Sequence, residues 1–317
     1  MTNRISGLNV ADLSVGDLFD KISASFNVHC DTDGSDIILE GDDNLSLLRA
    51  EESLKALNTF VLNDSIDGRV ADYIIFLART GSLNEFLSSV DEVYYTTPTG
   101  RPVKAKTLGQ RIYIDSLKRS ELVICSGPAG SGKTFLGVAM AVRAFRNREV
   151  SRIILTRPAI EAGERLGFLP GDIEEKVNPY MRPIYDAIEL LLGNDLFERY
   201  YEKGLIEVSP LAFMRGRNLD DCFVLLDEAQ NTTEDQMKMF LTRLGLNCKA
   251  CVCGDFTQID LPKGVRNGLR DSMEVLEGID GVSIVSLHNH DIVRNSLVQK
   301  IVEAYDKRDE KRLGNNL

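Results

Sequence analysis

One octapeptide constrains the fold more than any other part of the sequence: a glycine-rich segment of the form G-x-x-x-x-G-K-T. It consists of Gly127, Pro128, Ala129, Gly130, Ser131, Gly132, Lys133 and Thr134. An apolar run of strand length ends just before it, and an Ala- and Val-rich segment of helical pattern follows it. In that context the glycines let backbone N–H groups curl round a phosphate, and the helix N-terminus adds partial positive charge. The sequence therefore predicts an α/β fold that binds a nucleotide; a glycine-rich turn without a ligand is the plainer alternative.

The next residues to consider are charged and polar groups that suit ATP and magnesium. Lys133 is expected to neutralise phosphate oxygens and to take part in catalysis, and the Thr134 hydroxyl to bind Mg²⁺. Asp227 follows the apolar run 223–226 and is expected to orient the ion or its water. Glu228, the next residue, is a candidate general base for an attacking water. Two acids after a strand can also simply begin a helix, but beside this loop they favour ATP hydrolysis.

Three glutamines stand where a nucleotide could be contacted. Gln258 follows the apolar run 250–253, so it is a candidate catalytic residue that reaches the γ-phosphate or its water. Gln230 follows the acidic pair, and Gln110 precedes the apolar run that leads into the glycine-rich segment. Both are candidate ATP contacts, because an amide offers a donor and an acceptor to adenine. Each of the three is also consistent with an ordinary surface amide.

Apolar runs of strand length alternate with helical patterns after residue 100. Such alternation predicts a parallel sheet with helices on both faces, since each crossover between parallel strands needs a dozen or more residues. The predicted strands are 122–125, 153–155, 223–226, 250–253 and 282–285.

The N-terminal third has a different pattern. It predicts a small α/β unit of helix, strand, strand and helix, with one more helix beside it, over residues 15–26, 28–31, 36–39, 45–62 and 66–77. A polar stretch with Pro98, Gly100 and Pro102 predicts a boundary between domains 1–97 and 98–317. The charged tail, 306–317, is expected to be a fraying helix end.

The formal net charge of −11 is unevenly distributed. Residues 1–97 hold 17 acidic and 6 basic residues, whereas residues 98–317 hold 31 of each. The N-terminal domain would therefore repel a polyanion, and any contact with nucleic acid must come from a local basic cluster. No run of 18 residues is apolar and free of charge, and residues 1–10 lack a secretory signal, which predicts a cytoplasmic protein with no membrane partner.

The six cysteines are expected to be reduced thiols in apolar strands rather than disulfides. Cys248, Cys251 and Cys253 superficially suggest a metal site, but no second cluster lies at zinc-finger spacing. Cys251 and Cys253 are therefore predicted to share one face of a core strand.

Longer strings of the sequence resemble the PhoH family. They begin at Leu155 (LTRP), Asp227 (DEAQN) and Gly254 (GDFTQIDLP), and further similar segments are 161–172, 214–217 and 236–243. The resemblance covers most of residues 98–306. It implies a RecA-like P-loop NTPase core similar to the first motor domain of superfamily 1 helicases, with the DEAQ string as the acidic ATPase motif and Gly254 to Gln258 as the γ-phosphate-sensing motif.

Other implications of the resemblance are less direct. Residues 107–110 resemble the adenine-contacting motif of helicases, but Gly109 stands where relatives often carry Asn. The family is associated with RNA metabolism, and many relatives occur in bacteriophages, whose proteins work in the host cytoplasm. The N-terminal domain is similar to the family's KH-like region, yet the string GDLF from Gly16 lacks the second glycine and the basic neighbours of a KH loop. Packing or partner docking is therefore favoured over RNA binding by residues 13–62.

The residues after Gly100 suffice for one RecA-like domain, so translocation by a monomer is not expected. A neighbouring copy in a ring-shaped homo-oligomer, for which a hexamer is one candidate size, would supply the missing surface and a positive side chain at the γ-phosphate. Candidates for this arginine finger, or for a nucleic-acid contact, are Arg157, Arg215, Arg217 and Arg294; pairing with a nearby acid is the alternative for each of them.

Three hypotheses follow. The first is an oligomeric ATPase that acts on RNA or single-stranded DNA, and the second is an ATPase switch that recruits a protein partner through its acidic N-terminus. The third is a small-molecule kinase, which is disfavoured because Glu228 is positioned for water and no lid is recognisable in the sequence.

Overall fold

The computed structural model describes residues 1–13, 17–60, 68–88, 90–158 and 173–293, together with residues 298, 301 and 308. The chain divides into two compact units, Met1–Asp91 and Glu92–Leu317. Among the described residues, no helix has the length and apolar character needed to cross a bilayer. The predicted tail helix, 306–317, falls almost entirely outside the described residues, as does Gly16 of the GDLF string.

The first unit is a small α/β structure, as predicted. Its elements are β1 (Thr2–Ile5), α1 (Val10–Leu13), α2 (Leu18–Phe26), β2 (His29–Asp33), β3 (Asp36–Glu40), α3 (Asn44–Thr59), α4 (Gly68–Thr80) and α5 (Leu83–Leu87). The three strands form an antiparallel sheet in the order β1-β3-β2. Strand β1 was not predicted, because its polar residues show no clear alternation; pairing with β3 and burial of Ile5 hold it in the sheet. Helix α2 buries Leu18, Ile22 and Phe26, one per turn, against this unit's core.

The second unit carries the predicted parallel sheet flanked by helices. Its elements are β4 (Tyr95–Thr96), β5 (Pro102–Val103), α6 (Leu108–Arg119), β6 (Leu122–Ser126), α7 (Lys133–Arg146), β7 (Arg152–Arg157), α8 (Ile173–Leu192), α9 (Asn194–Glu202), β8 (Ile206–Pro210), β9 (Cys222–Leu226), α10 (Glu234–Leu241), β10 (Lys249–Gly254), α11 (Gly268–Val275) and β11 (Val282–Ser286). Six strands lie in the order β11-β6-β10-β9-β7-β8, and every neighbouring pair is parallel.

All five predicted strands are present in this sheet, which also contains a sixth, β8. Strand β8 has the sequence IEVSP and lies at the edge of the sheet. Its short, half-polar sequence and terminal proline suit an edge position, where one side needs no strand partner. The same features hid it from a search for continuous apolar runs.

The chain divides before the predicted boundary at 97/98 because a short hairpin belongs to the second unit. Strands β4 and β5 pair with each other on either side of that boundary. Tyr95 is buried, and its hydroxyl donates a hydrogen bond to the Leu191 carbonyl over 2.9 Å. The polar turn is therefore part of the larger unit rather than a linker.

The strand order determines where the site forms. The carboxyl ends of parallel strands lie together along one edge of the sheet, and the loops that leave β6, β9 and β10 all start from this carboxyl edge. Strand β10 lies between β6 and β9, so the turn after Gly254 emerges between the glycine-rich loop and the acidic pair. Helix α7 packs tightly on this sheet: a side chain at Gly137 would lie 2.6 Å from Leu225 Cδ1.

The six cysteines are all free and buried. Cys251 and Cys253 project from the same face of β10 into the hydrophobic core, with their sulfur atoms 3.5 Å apart. Within the described part of the chain, no group of three or more Cys, His, Asp or Glu side chains is placed to hold a metal ion. The burial of Cys251 and Cys253 on one face of β10 agrees with the prediction that they share one face of a core strand.

Candidate nucleotide-binding site

The glycine-rich loop connects the end of β6 to the start of α7. Gly130 and Gly132 have φ angles of 84° and 86°, in the left-handed region that glycine adopts at low cost. Gly127 is required for a second reason, since a side chain there would lie 2.7 Å from Leu287 Cβ. The segment after β11 also fastens the loop, because the Val293 N–H donates to the Gly130 carbonyl over 2.9 Å.

Lys133 lies at the first position of α7 and is only 8% exposed. Its ammonium donates hydrogen bonds to the carbonyls of Gly127, at 2.6 Å, and Pro128, at 2.9 Å. The Lys133 ammonium is thus bonded to the same loop that would bind a phosphate. Because an ammonium is a compact cation on a flexible stem, the same group can exchange these carbonyls for phosphate oxygens.

A buried tyrosine makes a hydrogen bond to the first residue of α7. The Tyr113 hydroxyl, on α6, donates to the Lys133 carbonyl over 3.1 Å and lies 2.9 Å from Cys251 Sγ. Burial and the neighbouring thiols raise the pKa of Tyr113 well above its ordinary value, so the hydroxyl keeps its proton. The first turn of α7 therefore rests on a neutral, fully enclosed polar group.

Thr134 and Asp227 come together as the sequence predicts. The Thr134 hydroxyl donates to Asp227 Oδ1 over 2.7 Å, although the two residues lie on α7 and directly after β9. The Asp227 side chain is 4% exposed, and its second oxygen, Oδ2, accepts from Arg157 Nε at 2.9 Å and Nη2 at 2.5 Å. Threonine and aspartate oxygens are hard ligands of the kind that Mg²⁺ takes in proteins, so this pair fits the ion.

Glu228 adopts a left-handed backbone, with φ 54° and ψ 35°, which is uncommon for a residue other than glycine. This conformation turns the chain sharply after Asp227, and the Glu228 side chain remains 39% exposed. Backbone strain of this kind concentrates at functional sites. Because the Glu228 side chain is partly exposed, its carboxylate can reach a water molecule at the edge of the sheet.

Gln230 is fully buried and joins three parts of the site. Its Nε2 donates to Glu228 Oε2 at 2.6 Å and to the Gln258 carbonyl at 3.1 Å, while its Oε1 accepts from the Asp255 N–H at 3.0 Å. These partners are all protein groups, and the ATP contact predicted for Gln230 stays a prediction. The arrangement holds the acidic pair and the turn after β10 in a common register.

Gln258 and Asp255 form the turn after β10. Gln258 Nε2 donates to Asp255 Oδ2 over 2.9 Å, and Asp255 Oδ1 accepts from the N–H and the hydroxyl of Thr257. Gln258 is exposed and Asp255 is buried. The sequence prediction missed this role of Asp255, although the residue stands in the same motif; its spacing from Gln258 was the available signal.

Gln110 is also buried, with 4% of its surface exposed. Its Oε1 accepts from the Lys106 N–H at 2.8 Å, and its Nε2 donates to the Ser131 carbonyl at 3.0 Å. The side chain therefore braces the glycine-rich loop from α6. The predicted adenine contact would have to be made in addition to these bonds.

The glycine-rich loop, the acidic pair and the turn after β10 surround one cavity of about 290 Å³. Its lining comprises Ala129, Gly130, Gly132, Lys133, Thr134, Phe135, Asp227, Glu228, Gly254, Asp255 and Gln258. A larger cavity, of about 560 Å³, is lined by other residues that include Phe145, Arg148 and Asn247. Of these two cavities, only the smaller one is lined by the glycine-rich loop together with Asp227 and Glu228, so this combination of groups, rather than cavity size, identifies the site.

The four candidate arginines differ in their surroundings. Arg157 pairs with Asp227 of its own chain, and Arg217 makes two hydrogen bonds to Glu207, which hold the pKa of that carboxyl below its usual value. Arg215 is exposed and makes no ion pair within the described part of the chain. Arg294 and the similar segment 161–172 lie outside the described residues.

In this chain a phosphate loop connects a parallel strand to a helix, and the Thr134 hydroxyl donates to Asp227, which follows the strand two positions away in the sheet. This arrangement defines the class of P-loop nucleoside triphosphatases. Within that class the chain belongs to the PhoH family, since the profile described as "PhoH-like protein" matches residues 102–306.

Two relatives are close to this chain. A PhoH-like protein of Bacillus subtilis is 50% identical over 284 residues, which are 89% of each chain. The protein PhoH of Escherichia coli is 46% identical over 206 residues, 64% of this chain and 58% of that protein. Solved structures are more distant. The Pif1 helicase from Candida albicans is 14% identical with a TM-score of 0.34, covering 62% of this chain and 42% of that one.

Proposed function

We propose that the chain binds ATP together with Mg²⁺ and hydrolyses it. The observation that carries this proposal is the 2.7 Å contact between Thr134 Oγ1 and Asp227 Oδ1, made directly beside the glycine-rich loop. These two oxygens would hold the ion, which when bound neutralises charge on the phosphates. Membership of the PhoH family, and hence of the P-loop class, supports nucleotide binding.

The roles of the other residues follow from their contacts. Lys133 is released from the carbonyls of its own loop and binds phosphate oxygens. Glu228 accepts a proton from the attacking water, and Gln230 orients the Glu228 carboxylate through its 2.6 Å bond. Gln258, which lines the cavity, lies in the turn that faces the terminal phosphate.

The variant Glu228→Gln tests this assignment. It keeps the size of the side chain but removes the proton acceptor, so phosphate release should fall by about 10²- to 10⁴-fold while a fluorescent ATP analogue binds as before. Glu277→Gln makes the same change on an exposed residue after α11 and is the matched control. Wild-type turnover in Glu228→Gln would remove Glu228 as the base.

We further propose that ATP turnover serves RNA or single-stranded nucleic acid. Phe213, in the turn after β8, is 42% exposed at the edge of the sheet that carries the nucleotide cavity. An exposed aromatic ring suits single strands, because bases stack on it. The hydrolysis rate should therefore rise with single-stranded RNA, and Phe213→Ala should reduce that rise.

A second candidate function is a switch that recruits a protein partner. Residues 1–91 carry 16 acidic against 6 basic residues, which suits a basic protein surface better than a polynucleotide. A hydrolysis rate that ignores single-stranded RNA, but changes when a basic partner binds residues 1–91, would select this function.

The active site is proposed to be shared between copies in a ring. Among the described candidates, Arg215 alone makes no ion pair with the part of its own chain that the structure describes, so it is the one we assign to a neighbour's γ-phosphate. Arg215→Ala should then bind ATP but scarcely hydrolyse it, and mixing it with Lys133→Ala should restore turnover in mixed oligomers. Full activity of a dilute monomer would exclude the shared site.

A further inference from the structure

Asp227 is a buried carboxylate that needs a positive partner. Its side chain is 4% exposed, and taking an ionised carboxylate out of water is costly unless the charge is paired. Lys133 does not provide that charge, because its ammonium bonds to the Gly127 and Pro128 carbonyls. Thr134 supplies a neutral hydrogen bond on Oδ1 only.

Arg157 supplies the charge from the neighbouring strand. It is the last residue of β7, which pairs with β9 so that Thr156 lies opposite Leu226, the last residue of β9. The residues that follow this pair are Arg157 and Asp227. The Asp227 N–H also donates to the Thr156 carbonyl over 2.9 Å. The strand register itself thus places the guanidinium on the carboxylate.

Three directed bonds hold the guanidinium. Nε and Nη2 donate to Asp227 Oδ2, and Nη1 donates to the Tyr180 carbonyl of α8 over 2.9 Å. Nη2 also lies 3.7 Å from Glu228 Oε1, so the same cation faces both acids of the pair. The Arg157 side chain is only 12% exposed. A planar fork can make these bonds together, whereas a lysine could not.

We infer that Arg157 is the internal counter-ion of the magnesium site: a positioning residue that orients Asp227 and balances its charge until the metal does so. This inference rests on the proposed role of Asp227 as a metal ligand. Asp227 would then lie between two cations, and magnesium must share the carboxylate with Arg157. Arg157 therefore acts on its own chain's site, which distinguishes it from a finger that acts on a neighbour.

Thermal unfolding without nucleotide and in EDTA tests the counter-ion directly. Arg157→Gln leaves the buried Asp227 charge unpaired, so Tm should fall by roughly 6–12 °C. Asp227→Asn removes the charge, so the double variant Arg157→Gln/Asp227→Asn should be more stable than Arg157→Gln alone. Arg217→Gln, which breaks the separate pair with Glu207, is the control, and Asp227→Asn should not relieve its loss.

The metal provides the second test. Mg·ADP should raise the Tm of Arg157→Gln by more than it raises that of the wild type, because the ion replaces the missing charge. ADP with EDTA should give no such excess. Equal increments from Mg·ADP would refute metal replacement, and a double variant no more stable than Arg157→Gln would refute the ion pair. Neither readout requires hydrolysis, so an inactive ATPase would leave the EDTA result intact.

Discussion

The two units of the molecule use similar charged residues in opposite ways. In the first unit Arg4 pairs with Asp33, and their side chains are 56% and 64% exposed. In the second unit Arg157 pairs with Asp227, and the corresponding values are 12% and 4%. Both contacts are arginine–aspartate ion pairs, but only the second is removed from water.

The two ion pairs differ in how much solvation their charges have lost, and this difference sets the free energy that each pair contributes. Exposed pairs contribute about 0–1 kcal/mol, because water already solvates both partners. A buried pair has lost that solvation, so removal of one partner leaves an uncompensated charge. The exposed pair of the first unit is therefore surface charge, whereas the buried Arg157–Asp227 pair of the second unit lies at the proposed nucleotide site.

The largest effect on nucleotide binding is expected from Lys133→Ala. This change removes the cation that faces the phosphates, and charged hydrogen bonds of this kind contribute about 1.5–3 kcal/mol each, or about ten- to a hundredfold in Kd. Titration with a fluorescent ATP analogue measures the loss. Lys203→Ala, an exposed lysine after α9, is the control and should bind normally. Unchanged affinity in Lys133→Ala would contradict the phosphate-binding loop.

An effect on turnover rather than on binding is expected from Gln230→Ala. Glu228 would lose its 2.6 Å partner, and a displacement of a catalytic group by about 1 Å can cost about 10²-fold in rate. The measurement is kcat beside KM, since kcat should carry the loss. The control is Gln236→Ala, which removes an amide outside the Gln230 network, the one that completes the capping box of α10. It should lower stability without that loss of kcat. Equal kcat values for both variants would exclude the positioning role.

An effect on stability is expected from Gly109→Ala in the first turn of α6. Alanine normally stabilises a helix by up to about 1 kcal/mol over glycine. Here the new Cβ would lie 2.5 Å from Asp291 Oδ1, a fully buried carboxylate oxygen, so we expect a net loss of about 1–3 kcal/mol in urea unfolding. The double variant with Asp291→Ala should lose less than the sum of the two single losses. Additive losses would show that the collision is absent.

The smallest effect is expected from removing the acidic unit. A fragment of residues 92–317 retains the loop, the acidic pair and the turn after β10, so its Kd for ATP should equal that of the full chain. The same titration on a folded, monodisperse fragment measures this. Loss of binding would show that residues 1–91 complete the pocket, and the contrast between the two units would no longer hold.

Features encoded within a few neighbouring residues could be predicted from the sequence. The loop from Gly127 to Thr134 needs only its own glycines and its place between a strand and a helix. The position of Asp227 and Glu228 at the end of β9 could also be predicted, because a continuous apolar run marks a buried parallel strand. The contact between Thr134 and Asp227 followed, since parallel strands end at one edge of the sheet.

Features that depend on which strands are neighbours could not be predicted. For Arg157 the sequence left open a neighbouring copy, nucleic acid or a nearby acid, and only the placement of β7 beside β9 brings it to Asp227. The order β11-β6-β10-β9-β7-β8 is not the order of the chain, and no local pattern records it. Likewise, the close approach of Gly109 to Asp291 joins α6 to a residue near the far end of the sequence.

The sequence by itself thus determined the glycine-rich loop and the position of Asp227 and Glu228, the proposed metal ligand and base, at the end of an apolar strand. Each of these depends on backbone conformation and residue type over short distances. Only the tertiary structure decided that Gln230 is buried against Glu228, Asp255 and Gln258, and that Arg157 balances Asp227. The reason is physical: an amide or a guanidinium reveals its role only through its partners and its loss of solvent, and long-range packing sets both.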